Sequence, residues 1–409
     1  MKKLFNTQPS GFPVVDNQLS MLPRDVQFCQ RCVTSNQRPR ITFDAEGICS
    51  ACRFAEIKET LDWSEREQEL QELLDRHRSK DGHWDCIVPS SGGKDSAYVA
   101  HTLKAEYGMH PLTVTWTPFM YTDIGRRNYE NFVHSGFDNL FCMPNGLIHR
   151  KLSRIALECN GDAWDPFAWG QKAFAMQVAF RYRIPLVFYG ENGELEYGGS
   201  LRAMNKACED IRDWKDLYFR GNGVDELTAI GRDCGVFAKD ELEPGQLGIY
   251  KAPPLEEVER LGLQMHWFSY YKKWIPQENY YCAVENAGFE TNPERSEGTY
   301  TKYASLDDRT DGFHFWFGYL KFGMGRTTRD AAMEVRSKHI TRDEAVALVH
   351  RFDGEFPKKY FQDFLCYLDM DELHFWEVAD RFRSPHLWEK VGGEWRLRHR
   401  VDYLDNGGR

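Results

Sequence analysis

The six residues Ser91-Gly92-Gly93-Lys94-Asp95-Ser96 constrain this chain more than any other stretch. Before them, Trp84 to Pro89 is a short apolar run with β-branched Ile87 and Val88. After them, Ala97, Val99, Ala100 and Leu103 recur at helical spacing within Asp95 to Tyr107. The reading is strand, glycine turn, helix. Paired glycines let a backbone approach an anion closely, and the opening amides of the helix add free N–H groups and the positive end of its dipole. Phosphate is the expected guest.

The turn is not a Walker loop, which needs glycine at the position of Val88 and a hydroxyl residue at that of Asp95. Further runs at Pro111–Trp116, Asp138–Cys142 and Ile184–Tyr189 alternate with helical stretches. They predict an α/β fold, a parallel sheet with helices on both faces and its ligand crevice outside the carboxyl ends of the strands. Three strand ends then matter. The first is the glycine loop. The second is Trp116-Thr117-Pro118, whose backbone can meet an adenine edge. The third is Gly190-Glu191-Asn192-Gly193, where Glu191 either faces the crevice or caps a turn. Between the last two, a helix from Asp165 to Phe180 has Pro166 just inside its start.

Cys29-x-x-Cys32 and Cys49-x-x-Cys52 flank a small hairpin over Ile41–Ile48 with its turn at Glu46-Gly47. This is a zinc-ribbon pattern, in which four thiolates close a tetrahedral sphere around a structural Zn2+; an iron–sulfur cluster uses four cysteines too. The remaining seven of 11 cysteines are scattered and read as core, and the odd total argues for a reducing compartment over a disulfide framework.

At 409 residues the chain is long enough for several units. The reading divides it into an irregular arm (1–25), a zinc-ribbon module (26–56), a nucleotide domain (57–253) with an insertion or lid after residue 190, and a mainly helical C-terminal region (254–409). A single solvated helix is expected from Ile57 to Arg78, and further helices over Gln264–Trp274 and Pro276–Ala287. Lys321 to Asp330 sets Gly323 and Gly325 among the cations Lys321, Arg326 and Arg329 and the hydroxyls of Thr327 and Thr328, a basic glycine turn that suits a triphosphate or an acidic sugar, or else a solvated helix connection. Thr341 to Glu344 is a capping box. A net charge of −10 without a basic block weighs against a nucleic-acid partner. The apolar runs are too short to span a membrane and the start turns polar too soon for a signal peptide, so a cytoplasmic location is expected.

Ser91 to Ser96 resembles the Ser-Gly-Gly-x-Asp-Ser loop of the PP-loop ATP pyrophosphatases, which cleave ATP between the α and β phosphates. Taken with the two Cys-x-x-Cys pairs, Gly190 to Gly193 and Lys321 to Arg326, the order resembles the N-acetyl sugar amidotransferases of the WbpG/PseA-like kind. That resemblance implies an acetamido sugar converted to an acetamidino sugar through an adenylated intermediate that ammonia attacks. The products would serve lipopolysaccharide O-antigen or flagellar nonulosonic (pseudaminic) acids. It implies ATP, Mg2+ and Zn2+, a separate glutaminase and a cyclase-like ammonia-channelling partner. Ser91, Gly92, Gly93, Lys94, Asp95 and Ser96 would hold ATP, with Trp116, Thr117, Lys321 and Arg326 contributing. Lys94, Asp95 and Glu191 would be catalytic, Asp95 also binding magnesium. A tRNA-thiolating enzyme, the alternative reading, shares the loop; the acidic net charge weighs against it, and the cysteines outside the two pairs are isolated residues that read as core.

Overall fold

The computed structural model describes residues 1–201 and 204–404. Residues before Ser50 run irregularly apart from a 3-10 turn at Asn17–Met21. Helices α1 (Ser50–Lys58) and α2 (Trp63–His77) follow where one helix was expected. Asp62 divides them, because its Oδ1 accepts from the amides of Ser64 and Glu65 at 3.0 and 3.3 Å and so starts a new helix.

The expected alternation then unfolds in order: β1 (Cys86–Pro89), α3 (Lys94–Ala105), β2 (Pro111–Trp116), α4 (Asp123–His134), β3 (Asp138–Cys142), α5 (Gly146–Asn160), α6 (Asp165–Tyr182) and β4 (Leu186–Tyr189). Beyond Gly190 come the single turn α7 (Gly193–Glu196), β5 (Cys208–Glu209), α8 (Trp214–Leu217), α9 (Val224–Asp233), α10 (Leu255–Leu261) and β6 (Gln264–Trp267). The six strands are ordered β3-β2-β1-β4-β6-β5; β5 runs antiparallel at the edge and the others are parallel. A helix was expected from Gln264 to Trp274. Only α11 (Phe268–Tyr271) is helical there, because Met265, His266 and Trp267 are buried by pairing with β4, and sheet pairing overrides local spacing. The sheet thus draws a strand from beyond residue 253.

Ile87 and Val187 sit unexposed in the sheet, each contributing roughly 1.5–3 kcal/mol of apolar burial. Gly170 lets α6 lie against the end of β2, since a Cβ there would stand 2.1 Å from the Trp116 ring. α12 (Pro276–Ala287) packs on α3. The C-terminal region adds α13 (Asp311–Phe322), α14 (Arg326–Arg336), α15 (Arg342–Phe352), α16 (Phe361–Leu368) and α17 (Glu372–Arg381), and the hairpin β7 (Trp388–Val391) and β8 (Glu394–Leu397). Thr341 and Glu344 form the expected capping box. Phe313, Trp316, Phe317, Phe364 and Phe375 build this region's core, with Phe313 and Phe364 stacked at 4.0 Å, so much of the aromatic content is packing. Of the seven scattered cysteines read as core, Cys86 and Cys159 are buried, whereas Cys208 and Cys366 are exposed.

Candidate active site

β1 ends at Pro89, and Ser90 to Gly93 turn the chain into α3. The two glycines of the turn do different jobs. Gly92 has φ +84°, and a Cβ there would stand 2.6 Å from the Tyr129 Cα, so its bareness seats the loop against α4. Gly93 has φ −71°, and a Cβ there would meet only the Ser91 Oγ at 3.5 Å. As N-cap of α3, Gly93 offers no side chain to the amides of Lys94, Asp95 and Ser96, which are left as donors for an incoming anion. The Ser96 hydroxyl donates to the Gly93 carbonyl at 3.0 Å and so accepts from Ser90 Oγ at 2.9 Å, which in turn accepts from the Gly92 amide at 3.3 Å. Ser90 is thus a framing residue that the sequence reading left out.

The loop forms one side of a cavity of about 220 Å³, with Trp116, Gln171, Tyr189 and Glu191 among the residues opposite Ser91, Gly93 and Asp95. Lys94 Nζ pairs with Asp95 Oδ2 at 2.6 Å, and Asn279 on α12 donates to Asp95 Oδ1 at 3.0 Å. Asp307 stands behind the loop. Burial, and then Asp311, push its carboxyl up to about 6, while a hydrogen bond from Ser91 opposes the shift. Neither Asn279 nor Asp307 carried a sequence signal, since both approach the loop from elements far along the chain.

Glu191 follows β4 and lines the same cavity. Asn192, not Glu191, caps α7, accepting from the Glu194 amide at 3.1 Å. Glu191 Oε1 accepts instead from the Tyr197 hydroxyl at 3.1 Å. Burial, reinforced by the Asp95 charge, raises the Glu191 carboxyl above its ordinary range, and Arg329 opposes this. The Arg329 guanidinium lies 3.9 Å from the Tyr197 ring centre. α7 itself is clamped: Glu194 takes Arg40 at 2.6 Å and Glu196 takes Lys58 at 2.7 Å.

Trp116 lines the loop cavity, but the Thr117 amide is already bonded to the Cys142 carbonyl at 3.1 Å and its side chain is buried. The structure does not bring Lys321 or Arg326 to the loop. Lys321 is buried, donating to Asp16 Oδ2 and the Asn160 carbonyl at 2.8 Å each, and Arg326 pairs along α14 with Asp330 at 2.9 Å. Arg326 finds its acidic partner one turn along its own helix, and Lys321 finds one in the N-terminal arm, which a linear reading of the turn passes over. Lys321 instead lines a second cavity of about 200 Å³, between the cysteine module and α13–α14.

Cys29, Cys32, Cys49 and Cys52 are buried with sulfurs all within 4.8 Å of one another. The Cys29–Cys52 and Cys32–Cys49 sulfurs are 3.8 Å apart. Four sulfurs about 2.3 Å from a tetrahedral Zn2+ are separated by about 3.8 Å, so the cluster fits that ion. The amides of Arg31 and Cys49 point at Cys29 Sγ at 3.4 and 3.3 Å, as thiolate acceptors require. Cys32 pushes Cys29 up, but Cys49 and Cys52 outweigh it and leave Cys29 at about 7; Cys32 is lowered further, and its neighbours raise Cys49 and Cys52. A bound dication would favour the thiolate form of all four. The expected hairpin reduces to a single bridge, Phe43 with Cys49, around a turn with Gly47 at φ +72°.

Residues 297–401 match the family described as LPS biosynthesis protein WbpG-like, C-terminal domain. An uncharacterized protein of Methanocaldococcus jannaschii is 31% identical over 87 residues, 21% of this chain and 31% of that protein, so the chain spans about a third of the relative's length. Among the described residues no helix is long and apolar enough to cross a membrane.

Proposed function

We infer the reaction from two premises: residues 297–401 match the WbpG-like lipopolysaccharide biosynthesis C-terminal domain, and a Ser-Gly-Gly-Lys-Asp-Ser loop opens α3 above a mostly parallel sheet. The chain is proposed to be an ATP-dependent N-acetyl sugar amidotransferase acting in lipopolysaccharide or related glycan biosynthesis. The acetamido oxygen of the sugar attacks the α-phosphorus of ATP, pyrophosphate leaves, and ammonia then displaces AMP to leave an acetamidine. An amide carbon resists ammonia until its oxygen becomes a phosphate leaving group, which is why ATP is spent.

The carrying observation is the row of uncapped amides at the start of α3, with Lys94 and Asp95 beside them. Those amides and the Ser91 hydroxyl would cradle the departing pyrophosphate. Mg2+, when bound, would neutralise phosphate charge, and the part-exposed Asp95 is the carboxylate placed to hold it. Lys94 would then exchange its carboxylate partner for phosphate oxygens. Glu191, across the cavity, would accept a proton from the attacking nitrogen, and its raised carboxyl makes it a stronger base than an ordinary carboxylate. Zn2+ at the four cysteines would be structural, because the thiols leave no open coordination position. Ammonia would come from a separate glutaminase through a cyclase-like channelling subunit, in the cytoplasm where the nucleotide is available.

The protein incubated with ATP, magnesium, ammonium and a panel of acetamido sugars should yield AMP, pyrophosphate and a sugar in which one oxygen is replaced by NH, read by mass spectrometry. ADP and phosphate as products would refute this reading.

A further inference from the structure

The second cavity is ringed by cations. Arg40 is taken by Glu194, Arg220 by Asp162 and Asp165, and Lys321 by Asp16. Arg38, Arg329 and Arg336 remain, and among the described residues none of the three forms an ion pair with a carboxylate. Arg38 donates to the Gly198 carbonyl, Arg329 lies over Tyr197, and Arg336 donates to the Glu196 carbonyl at 3.0 Å and reaches Cys32 Sγ of the cysteine cluster at 3.8 Å. Burial, and then the charge of Arg329, pull Arg38 down to about 10. Like-charged guanidinia gathered in one half-buried cavity are held apart from their preferred partners and call for an anion.

The cavity also abuts the loop cavity. Glu191 lines one and Tyr197 the other, and the hydrogen bond between them is the shared wall. At about 200 Å³ it is smaller than the roughly 300–1,000 Å³ of sites for drug-sized ligands, so it fits one sugar ring and not a whole nucleotide.

We propose that this cavity is the acceptor subsite, in which Arg38 and Arg329, with Arg336 behind them, hold a carboxylate carried by the sugar ring while its acetamido group reaches past Tyr197 toward the loop. The proposal rests on the amidotransferase reading. It makes the cysteine module part of the substrate site, since Arg38 belongs to that module and Arg329 to α14.

Calorimetric titration tests it with an acetamido nonulosonic acid and a UDP-linked diacetamido uronic acid, each beside its carboxyl-reduced alcohol. The proteins are the full chain, Arg329→Gln and Arg38→Gln, with matching thermal melts and with ATP binding measured on each. At least one acid should bind wild-type protein about ten-fold or more tightly than its alcohol, and either substitution should erase that preference. ATP affinity should stay within about two-fold. A preference surviving both substitutions overturns the subsite, as does wild-type protein that binds neither acid, or that holds acid and alcohol equally well. Should one substitution prevent folding, the other carries the same test. Binding is read without turnover, so an arginine-dependent preference in a protein that makes no amidine keeps the subsite and sinks the amidotransferase reading instead.

Discussion

Glu191 illustrates how one side chain's surroundings assign it a task. Its neighbour Asn192 takes the capping bond, its own oxygen accepts from Tyr197, and burial with the nearby Asp95 raises its carboxyl. A base must be deprotonated to act, so amidine formation should fall as pH drops through the raised value, above the ordinary carboxylate range of about 4.3. Glu191→Gln should keep acceptor-dependent exchange of labelled pyrophosphate into ATP, lose about 100-fold or more of amidine formation, and lose that acidic limb. Exchange lost together with product would move Glu191 into ATP or sugar binding. Asp95→Asn is expected to do the opposite, abolishing exchange in magnesium while leaving the melting curve near that of wild type, because its carboxylate is part-exposed. Exchange persisting in that variant would remove Asp95 from the phosphate site.

At the scale of elements, the loop's two glycines give separable outcomes. Gly92→Ala puts a Cβ 2.6 Å from the α4 backbone at φ +84°, so a loss on the order of 2 kcal/mol or more of stability is expected. Gly93→Ala has room for its Cβ and an ordinary φ, so urea midpoints should place its stability within about 0.5 kcal/mol of wild type while ATP turnover drops. Equal destabilisation by both would mean the loop backbone is not arranged as described. The strands and the glycine loop were legible because β-branched runs bounded by turns carry their own signal, as Pro111–Trp116 shows. β6 was not: Gln264–Trp267 becomes a strand only because β4 presents an edge, a fact no local window contains. The cysteine spacing announced its cluster, whereas Asn279 and Asp307 reach the loop from segments far along the chain, and the basic turn from Lys321 to Asp330, Arg329 included, lines a cavity other than the loop's.

Across the whole molecule, two of the contacts that tie the C-terminal region to the rest are open to test. In the first, Glu158 of α5 is fully buried and accepts from Arg154 at 2.9 Å, from Arg381 at 2.8 Å and from His374 of α17 at 2.6 Å. The hydrogen bond to Glu158 raises His374 above its ordinary value near 6.5. The folded form therefore binds the proton more tightly than the unfolded chain, so the tether's contribution is full below that value and is lost as pH rises through the folded one. Urea midpoints should fall between pH 6 and pH 8 in wild type, and the fall should shrink in His374→Gln; an unchanged fall would assign it to other groups.

The second tether is the cysteine cluster. Its four thiols share an apolar cluster with Ala331 and Ala332 of α14 and Ala345, Val346 and Val349 of α15, and Arg336 reaches Cys32 Sγ at 3.8 Å. A ribbon this small has little core of its own, so a bound ion supplies its folding energy, and its collapse would loosen α14 and with it the wall that carries Arg329. Metal analysis should find about one zinc per chain and no iron. Cys29→Ser should lower both the yield of folded protein and the melting temperature. Stripping the metal with a chelator should weaken binding of the acidic sugar before it weakens binding of ATP, because the loop at Ser91 to Ser96 stands on the sheet and not on the ribbon. Simultaneous loss of both ligands on chelation would show instead that the cluster supports the whole fold, and an undiminished melting curve after complete zinc removal would deny it a structural role.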